Sequence, residues 1–517
     1  MFLLKGYDFM LDKRGAGVLL HISSVPSKYG IGVFDKNCLE FIDKLRYMKF
    51  GYWQVLPFNP VDDANSPYCS SSAFAGNYLF IDPQRMVEYG LNTQEEADEN
   101  IYHGTPFTAD YEFAKKKRMA LLKKAFERID ADTALQVKKF TDENPWVVDF
   151  SLFMALKEAN EQKSWWEWDD EYSHYDVFME KHRYDFEEKS AFWRFVQYIF
   201  FRQWKEIKDY ANLNGVAIIG DMPIYVAMDS VDVWSNLELF KINKESLKPD
   251  KVAGVPPDYF SEDGQLWGNP LYDWEKIEKD GYKWWLSRLG RSLETYDVVR
   301  IDHFRAFASY WEIPADSKTA KTGEWAEGPG MKFFNKVFEK YPDAPIIAED
   351  LGIFGEDVVK LLEDTDFPGM KVVQFGFEPG ADSSHLPHNA VRNSVNYVGT
   401  HDNNTILGWL WEADEESRSF ALDYIGFEDE NWGDGGYYSK SCRKVIEAVW
   451  KSSSNTAVVA FQDMCGFGSD ARMNIPSVPE KNWRYRTDTD SINRLDAEYF
   501  KKINTLYRRD YPVLKND

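Results

Sequence analysis

The sequence predicts an α/β fold, a (β/α)8 TIM barrel with large insertions between barrel strands. Eight short β-branched runs each end abruptly in polar residues, and helical patterns lie between most of them. Continuous apolar runs of this length suit strands buried on both faces of a parallel sheet. Their alternation with helices favours a barrel. A doubly wound sheet is the alternative, but its glycine-rich phosphate loop should follow a strand. In "GAGVLLH" the glycines precede it.

The first run, Gly15 to His21, is followed by the helical pattern "CLEFIDKLRYM" and the second run, Tyr52 to Phe58. Residues 60–188 hold helices of their own, such as Glu112 to Ile129, and are expected to form a mainly helical insertion after strand 2. A long helix then stops at Asn214-Gly215, a good C-terminal signal, and leads into the third run, Gly215 to Pro223. Residues 225–275, rich in Gly, Pro and aromatics, are expected to form an insertion or lid loop after strand 3. "WWLSRLGRSLETY" precedes the fourth run, Asp297 to His303, and "MKFFNKVFEKY" the fifth, Ala344 to Asp350. The pattern "GEDVVKLLEDT" follows, then the runs Met370 to Phe377 and Ser394 to Asp402. Two more helical patterns lead to the eighth run, Thr456 to Asp463. Residues 1–517 are thus expected to make a single catalytic barrel.

Composition narrows the function. The net charge is −24, from 61 basic and 85 acidic residues. Phosphate binding needs a basic footprint, so nucleic acid is excluded as a partner, and an anionic membrane surface is disfavoured. No run approaches the ~20 apolar residues of a membrane span. The N-terminus lacks the long apolar region and small-residue cleavage site of a signal peptide. The four cysteines are scattered, with no CxxC pair, which points to neither a disulfide framework nor a zinc site. A cytoplasmic protein is expected. Aromatic residues make up 16% of the chain. Much of that is core, yet flat aromatic side chains also suit the apolar faces of sugar rings.

In a barrel of this type chemistry sits at the C-terminal ends of the strands. There the sequence places Asp221, Asp302, Glu349, Asp350, Asp402 and Asp463. One such carboxylate is ordinarily a helix cap or a salt-bridge partner. A converging set either binds hard cations or performs acid/base and nucleophilic chemistry. The DxDxDG spacing of a calcium loop is missing, although His303 and His401 each adjoin an aspartate and leave a His/carboxylate metal site open. Glycoside chemistry, with two carboxylates flanking an anomeric carbon, fits better.

Long motifs surround these residues: "GVLLHISSVPSKYGIG", "SPYCSSSAFAGN", "GDMPIYVAMDSVDVW", "GVPPDYFSEDGQLWGNP", "RIDHFR", "AEDLG", "GTHDN" and "ARMNIP". Over nearly its whole length the sequence resembles the 4-α-glucanotransferases of glycoside hydrolase family 77, the amylomaltases or disproportionating enzymes, relatives of the α-amylases. The resemblance implies transfer of α-1,4-glucan segments to the 4-OH of an acceptor by retaining double displacement. It implies Asp302 as nucleophile, Glu349 as general acid/base and Asp402 as the carboxylate holding sugar hydroxyls. Arg300 would orient and ionise the nucleophile, His401 would bind a sugar hydroxyl, and Tyr68 would stack under the same sugar. Asp221 would stand beside them, and Tyr259, Phe260, Gln265, Trp267 and Asn269 would line the acceptor side. Maltooligosaccharides, α-1,4-glucans and glucose are the implied partners of a monomer or weak homo-oligomer, with no cofactor and no metal. The sequence departs from the family pattern at Ala306, Tyr78 and Asn404, none of them in the catalytic trio. An α-amylase-like hydrolase, a catalytically dead glucan binder and a metal-dependent hydrolase are the rival readings. His303, expected opposite Asp302 if the strand persists, and Arg305 are left without roles.

Overall fold

The computed structural model describes residues 10–257, 262–352, 355–476, 478 and 481–510. Eight parallel strands close into a barrel: β1 (Gly15–Leu19), β2 (Tyr52–Gln54), β3 (Ala217–Met222), β4 (Val298–Ile301), β5 (Ile346–Ala348), β6 (Gly369–Val372), β7 (Ser394–Tyr397) and β8 (Thr456–Ala460). Each strand pairs with its neighbours in sequence, and β8 returns to β1. Every residue of these strands except Lys371 is buried. That is why they appear in the sequence as unbroken apolar runs and not as alternation.

The ladders are shorter than the runs. "YWQVLPF" is strand only over Tyr52–Gln54, yet Val55, Leu56 and Phe58 remain buried. The apolar signal marks burial, which continues past the last ladder bond into the barrel mouth.

Helices cover the barrel. Helix α1 (Lys36–Met48) is capped by Asp35, whose carboxylate accepts from the Asn37 N–H, and ends at Lys49 in the left-handed region. The long α2 (Glu187–Leu213) stops at Asn214, and Gly215 follows with φ 74°. Helices α3 (Lys283–Thr295), α4 (Gly330–Lys340), α5 (Glu356–Thr365) and α6 (Lys440–Lys451) stand where the helical patterns placed them. Between β2 and β3 lie the helices Tyr111–Phe126, Ala131–Glu143 and Trp146–Ala159, among shorter ones. Among the described residues no helix is long and apolar enough to cross a membrane. All four cysteines are unpaired.

One part of the rim differs from the sequence expectation. Residues 225–275 are not simply a loop: Lys251–Val255 and Gln265–Pro270 pair antiparallel. They form half of a four-stranded sheet whose other half, Ser309–Pro314 and Glu324–Glu327, comes from the connection after β4. Those strands read SYWEIP and EWAE, mixed short stretches with no unbroken apolar run to betray them.

Gly220, next to Asp221 on β3, is fixed by close approach. A Cβ there would fall 2.0 Å from the Tyr296 ring, and the Tyr296 hydroxyl accepts from the Phe58 N–H at 3.2 Å. The ring thus wedges against the strand that delivers Asp221.

Candidate active site

Register brings the central residues together. On adjacent strands, Asp221 pairs with Arg300 and Ile301 with Ala348. The next residues, Asp302 and Glu349, leave β4 and β5 side by side. The Glu349 N–H donates to the Ile301 carbonyl and the Asp302 N–H to the Met222 carbonyl, both at 3.0 Å. Neighbouring strands lie about 4.8 Å apart. Two carboxylates on neighbouring strands can reach the roughly 5 Å separation that a retaining glycosidase uses.

Arg300 is buried beneath them. One terminal nitrogen donates to both oxygens of Asp221, at 2.8 and 2.6 Å, and the other to Asp302 at 2.9 Å. Alternation along the strand places Arg300 and Asp302 on the same side. Burial is nevertheless the larger influence on Asp302. It raises the carboxyl, Arg300 opposes it, and Asp221 and Asp402 add repulsion, so the group stands at about 6. Arg300 therefore limits a rise that the pocket imposes.

Glu349 is raised further, to about 7, first by burial and then by the negative charge of Asp302, against the pull of Arg300. Each of its oxygens accepts one backbone hydrogen bond, from His303 at 2.7 Å and Leu351 at 2.6 Å. The His303 bond depends on a local turn. The strand ends at Ile301, and His303 adopts φ 51° in the left-handed region, which aims its N–H at Glu349. The strand does not continue to His303, so the condition on which it was expected opposite Asp302 is not met. Its imidazole packs edge-on against Trp267 with centroids 4.8 Å apart, and burial depresses it to about 3, so it is neutral.

Asp402 behaves oppositely. Burial would raise it, but His401, Asn474 and Arg300 outweigh burial and hold it at about 2. His401 lies 3.2 Å from one carboxylate oxygen, and Asn474 donates to the other at 2.6 Å. The His401 imidazolium is favoured in turn, because Asp402 overcomes the desolvation that would lower it. Tyr68 lies parallel to His401 at 5.0 Å and donates its hydroxyl to Asp221 at 2.7 Å. Trp483 closes this flank, 5.5 Å from Tyr68 and 5.9 Å from His401.

On the other flank, the Trp267 indole N–H donates to the Gln265 side-chain oxygen at 3.1 Å. Asn269 spends its amide on the Val226 carbonyl at 2.8 Å, anchoring the end of its strand. Tyr259, and Phe260 beside it, lie outside the described residues.

Two of the six strand-end carboxylates do not join the cluster. Asp350 accepts from the Met370 N–H at 2.6 Å, because the residue after Glu349 on an extended segment points the opposite way. Asp463, within the short helix Phe461–Met464, accepts from the Ile406 N–H at 2.7 Å and caps the helix that begins there. Sequence reasoning also missed Asn474 and Trp483. Asn474 lies in the quoted motif "ARMNIP", but beyond the eighth strand, where strand-end logic assigns nothing. Among the described residues, no group of three His, Cys, Asp or Glu side chains is placed to share a metal ion.

The site thus holds an ionisable carboxylate over an arginine, a second carboxylate ready to carry a proton, and a third held ionised. Comparison with known proteins shows the family. The family model for glycoside hydrolase family 77, described as 4-alpha-glucanotransferase, matches residues 20–491. The 4-alpha-glucanotransferase of Clostridium butyricum is 42% identical over 95% of this chain and 100% of its own length. That of Aquifex aeolicus is 40% identical over 96% of this chain and 100% of its own. The amylomaltase of Streptococcus agalactiae, solved in complex with acarbose, superposes with a TM-score of 0.91 at 37% identity, covering 96% of this chain and all of that one. The Corynebacterium glutamicum amylomaltase, at 18% identity, shares the fold with a TM-score of 0.75 over 99% of this chain and 76% of that one. The chain belongs to glycoside hydrolase family 77, the 4-α-glucanotransferases.

Proposed function

We propose that this chain transfers α-1,4-glucan segments between maltooligosaccharides, with Asp302 as nucleophile and Glu349 as acid/base. The observation that carries the reading is the side-by-side departure of these two carboxylates from β4 and β5, one over Arg300 and the other under two backbone N–H groups. In the first step an Asp302 oxygen attacks the anomeric carbon. The bond from that carbon to the leaving 4-oxygen breaks, and the oxygen takes the proton of Glu349. In the second step an acceptor 4-hydroxyl gives its proton to Glu349 while its oxygen displaces Asp302. One α-1,4 bond is broken and one made, with retention at each anomeric carbon. Asp402, ionised beside His401, is suited to hold hydroxyls of the reacting sugar, and its charge favours the positive transition state. Tyr68 supplies an aromatic face for that sugar, and Asp221 holds Tyr68 and Arg300 in place. Gln265 and Trp267 flank the acceptor side of the 225–275 insertion. By covering it they give an acceptor sugar advantage over water.

The test is incubation with maltotriose, with an Asp302→Asn chain as the blank. Glucose and longer glucans should appear with no net gain in reducing ends, and the blank should form neither. A matching rise in reducing ends would establish a hydrolase instead.

A pH dependence follows. Transfer needs Asp302 ionised, so kcat/KM rises as pH passes through about 6. It also needs Glu349 protonated, so kcat/KM falls as pH passes through about 7. The two groups titrate as a pair, and the limbs belong to the pair. The expected profile on maltotriose is a narrow bell centred between those values. A plateau extending above pH 9 would contradict it.

A further inference from the structure

The aromatic groups at the barrel mouth form two flanks. Tyr68, His401 and Trp483 stand beside Asp402. On the other side, Trp267 packs against His303, whose N–H holds Glu349, and Arg305 stacks on Trp325. An acid/base group meets the oxygen that leaves with one glucan and arrives with the next. The flank attached to Glu349 is therefore the side of the leaving and accepting chain.

Trp325 is the outermost member of that flank. It lies on the edge strand Glu324–Glu327 of the four-stranded rim sheet and is 44% exposed, although it is an indole. It is also held in place. The Arg305 guanidinium sits 4.0 Å from its ring centroid, and Trp311, its cross-strand partner, meets it at 5.1 Å with the planes tilted by 65°. Arg305 is itself buried, and its side chain reaches the Ser309 hydroxyl at 3.4 Å. Arg305 lies two residues after His303, whose N–H donates to Glu349, so the stack sits on the same short turn as the acid/base's hydrogen-bond donor. What marks Trp325 is that one side of its ring is held by Arg305 and Trp311 while the rest stays open to solvent next to the turn that holds Glu349.

We propose that the free part of the Trp325 ring is a stacking platform for an acceptor-side glucose beyond the one that reacts, so that it selects longer α-1,4-glucan acceptors over glucose. The inference rests on the glucanotransferase reading. A pyranose offers one face of axial C–H groups to an indole while its hydroxyls stay in water, so the contact needs no polar partner. Trp267, 37% exposed on the innermost part of this flank, meets the first acceptor sugar, and Trp325 meets a later one.

The test uses the full chain, α-glucosyl fluoride as donor, and glucose, maltose and maltotriose as acceptors. Trp325→Ala should raise KM for maltotriose about tenfold, the effect of one good stacking contact. KM for glucose and kcat should stay unchanged, and Trp325→Phe should restore most of the loss. Equal changes for every acceptor length would overturn the proposal. So would unchanged acceptor KM values with a lowered kcat and a displaced alkaline limb, since Trp325 would then merely hold Arg305. A wild-type chain that transfers to no acceptor would instead overturn the glucanotransferase reading itself.

Discussion

Arg300→Met is expected to lower kcat/KM on maltotriose about a hundredfold and to destabilise the fold. Arg300 is 3% exposed and bonds two carboxylates at once. Methionine fills similar space but removes the one positive charge that, among the described residues, bonds both. Asp221 would keep the Tyr68 hydroxyl but lose two charge-assisted bonds. Asp302 would lose the strongest opponent to burial, with His401 left as the remaining one, and climb above about 6. A rise of about two units from about 6 leaves roughly a tenth of the nucleophile ionised at neutral pH, and with a roughly tenfold loss of alignment this gives the stated figure. Breaking a buried ion pair from one side costs about 3 kcal/mol, partly relieved because the carboxylates can protonate. The acid limb of the pH profile should therefore move up, and the urea midpoint should fall with unchanged m-value. Arg300→Lys, which can reach only one of the two carboxylates well, should recover stability before activity. A methionine variant with the wild-type acid limb would show that the pocket does not need this charge to keep Asp302 ionised.

The barrel and the catalytic cluster were legible because burial and alternation are local. A β-branched run ending in a carboxylate states both that a strand is buried and where it stops, and Arg300 two residues before Asp302 states a shared face. The same alternation, pushed one residue further, separates Glu349 from Asp350. The remainder depends on pairings that no local pattern carries. The strand Glu324–Glu327 is polar, and only its register with Ser309–Pro314 makes it part of a sheet. Asn474 reaches Asp402 across 72 positions. The position of His303 stayed open because its left-handed turn is written nowhere in "RIDHFR". The turn arises where the chain must leave β4 and still present an N–H to Glu349. The second arginine of that motif, Arg305, acquires meaning only when Trp325 is folded over it.

Removing the acid/base separates the two halves of the reaction. Glu349→Ala is expected to lower kcat/KM on maltotriose by about 10³ to 10⁴, the usual worth of a positioned proton donor. Alanine is preferable to glutamine here. Backbone N–H groups of His303 and Leu351 point at both oxygens, so a glutamine amide would set its own N–H₂ against one of these donors. With alanine both donors turn to water at an open mouth, which costs little. On α-glucosyl fluoride the first step should survive, because fluoride departs without a proton and Asp302 still attacks over Arg300. The second step should then fail, since the acceptor hydroxyl has no base, and a glucosylated chain should accumulate, visible as a mass increase of one glucose residue. Azide needs no base and should discharge it to an α-glucosyl azide, the configuration that two inversions require. A β-azide, equal losses on both donors, or a chain that never carries the sugar would each remove Glu349 from the role its position beside Asp302 gives it.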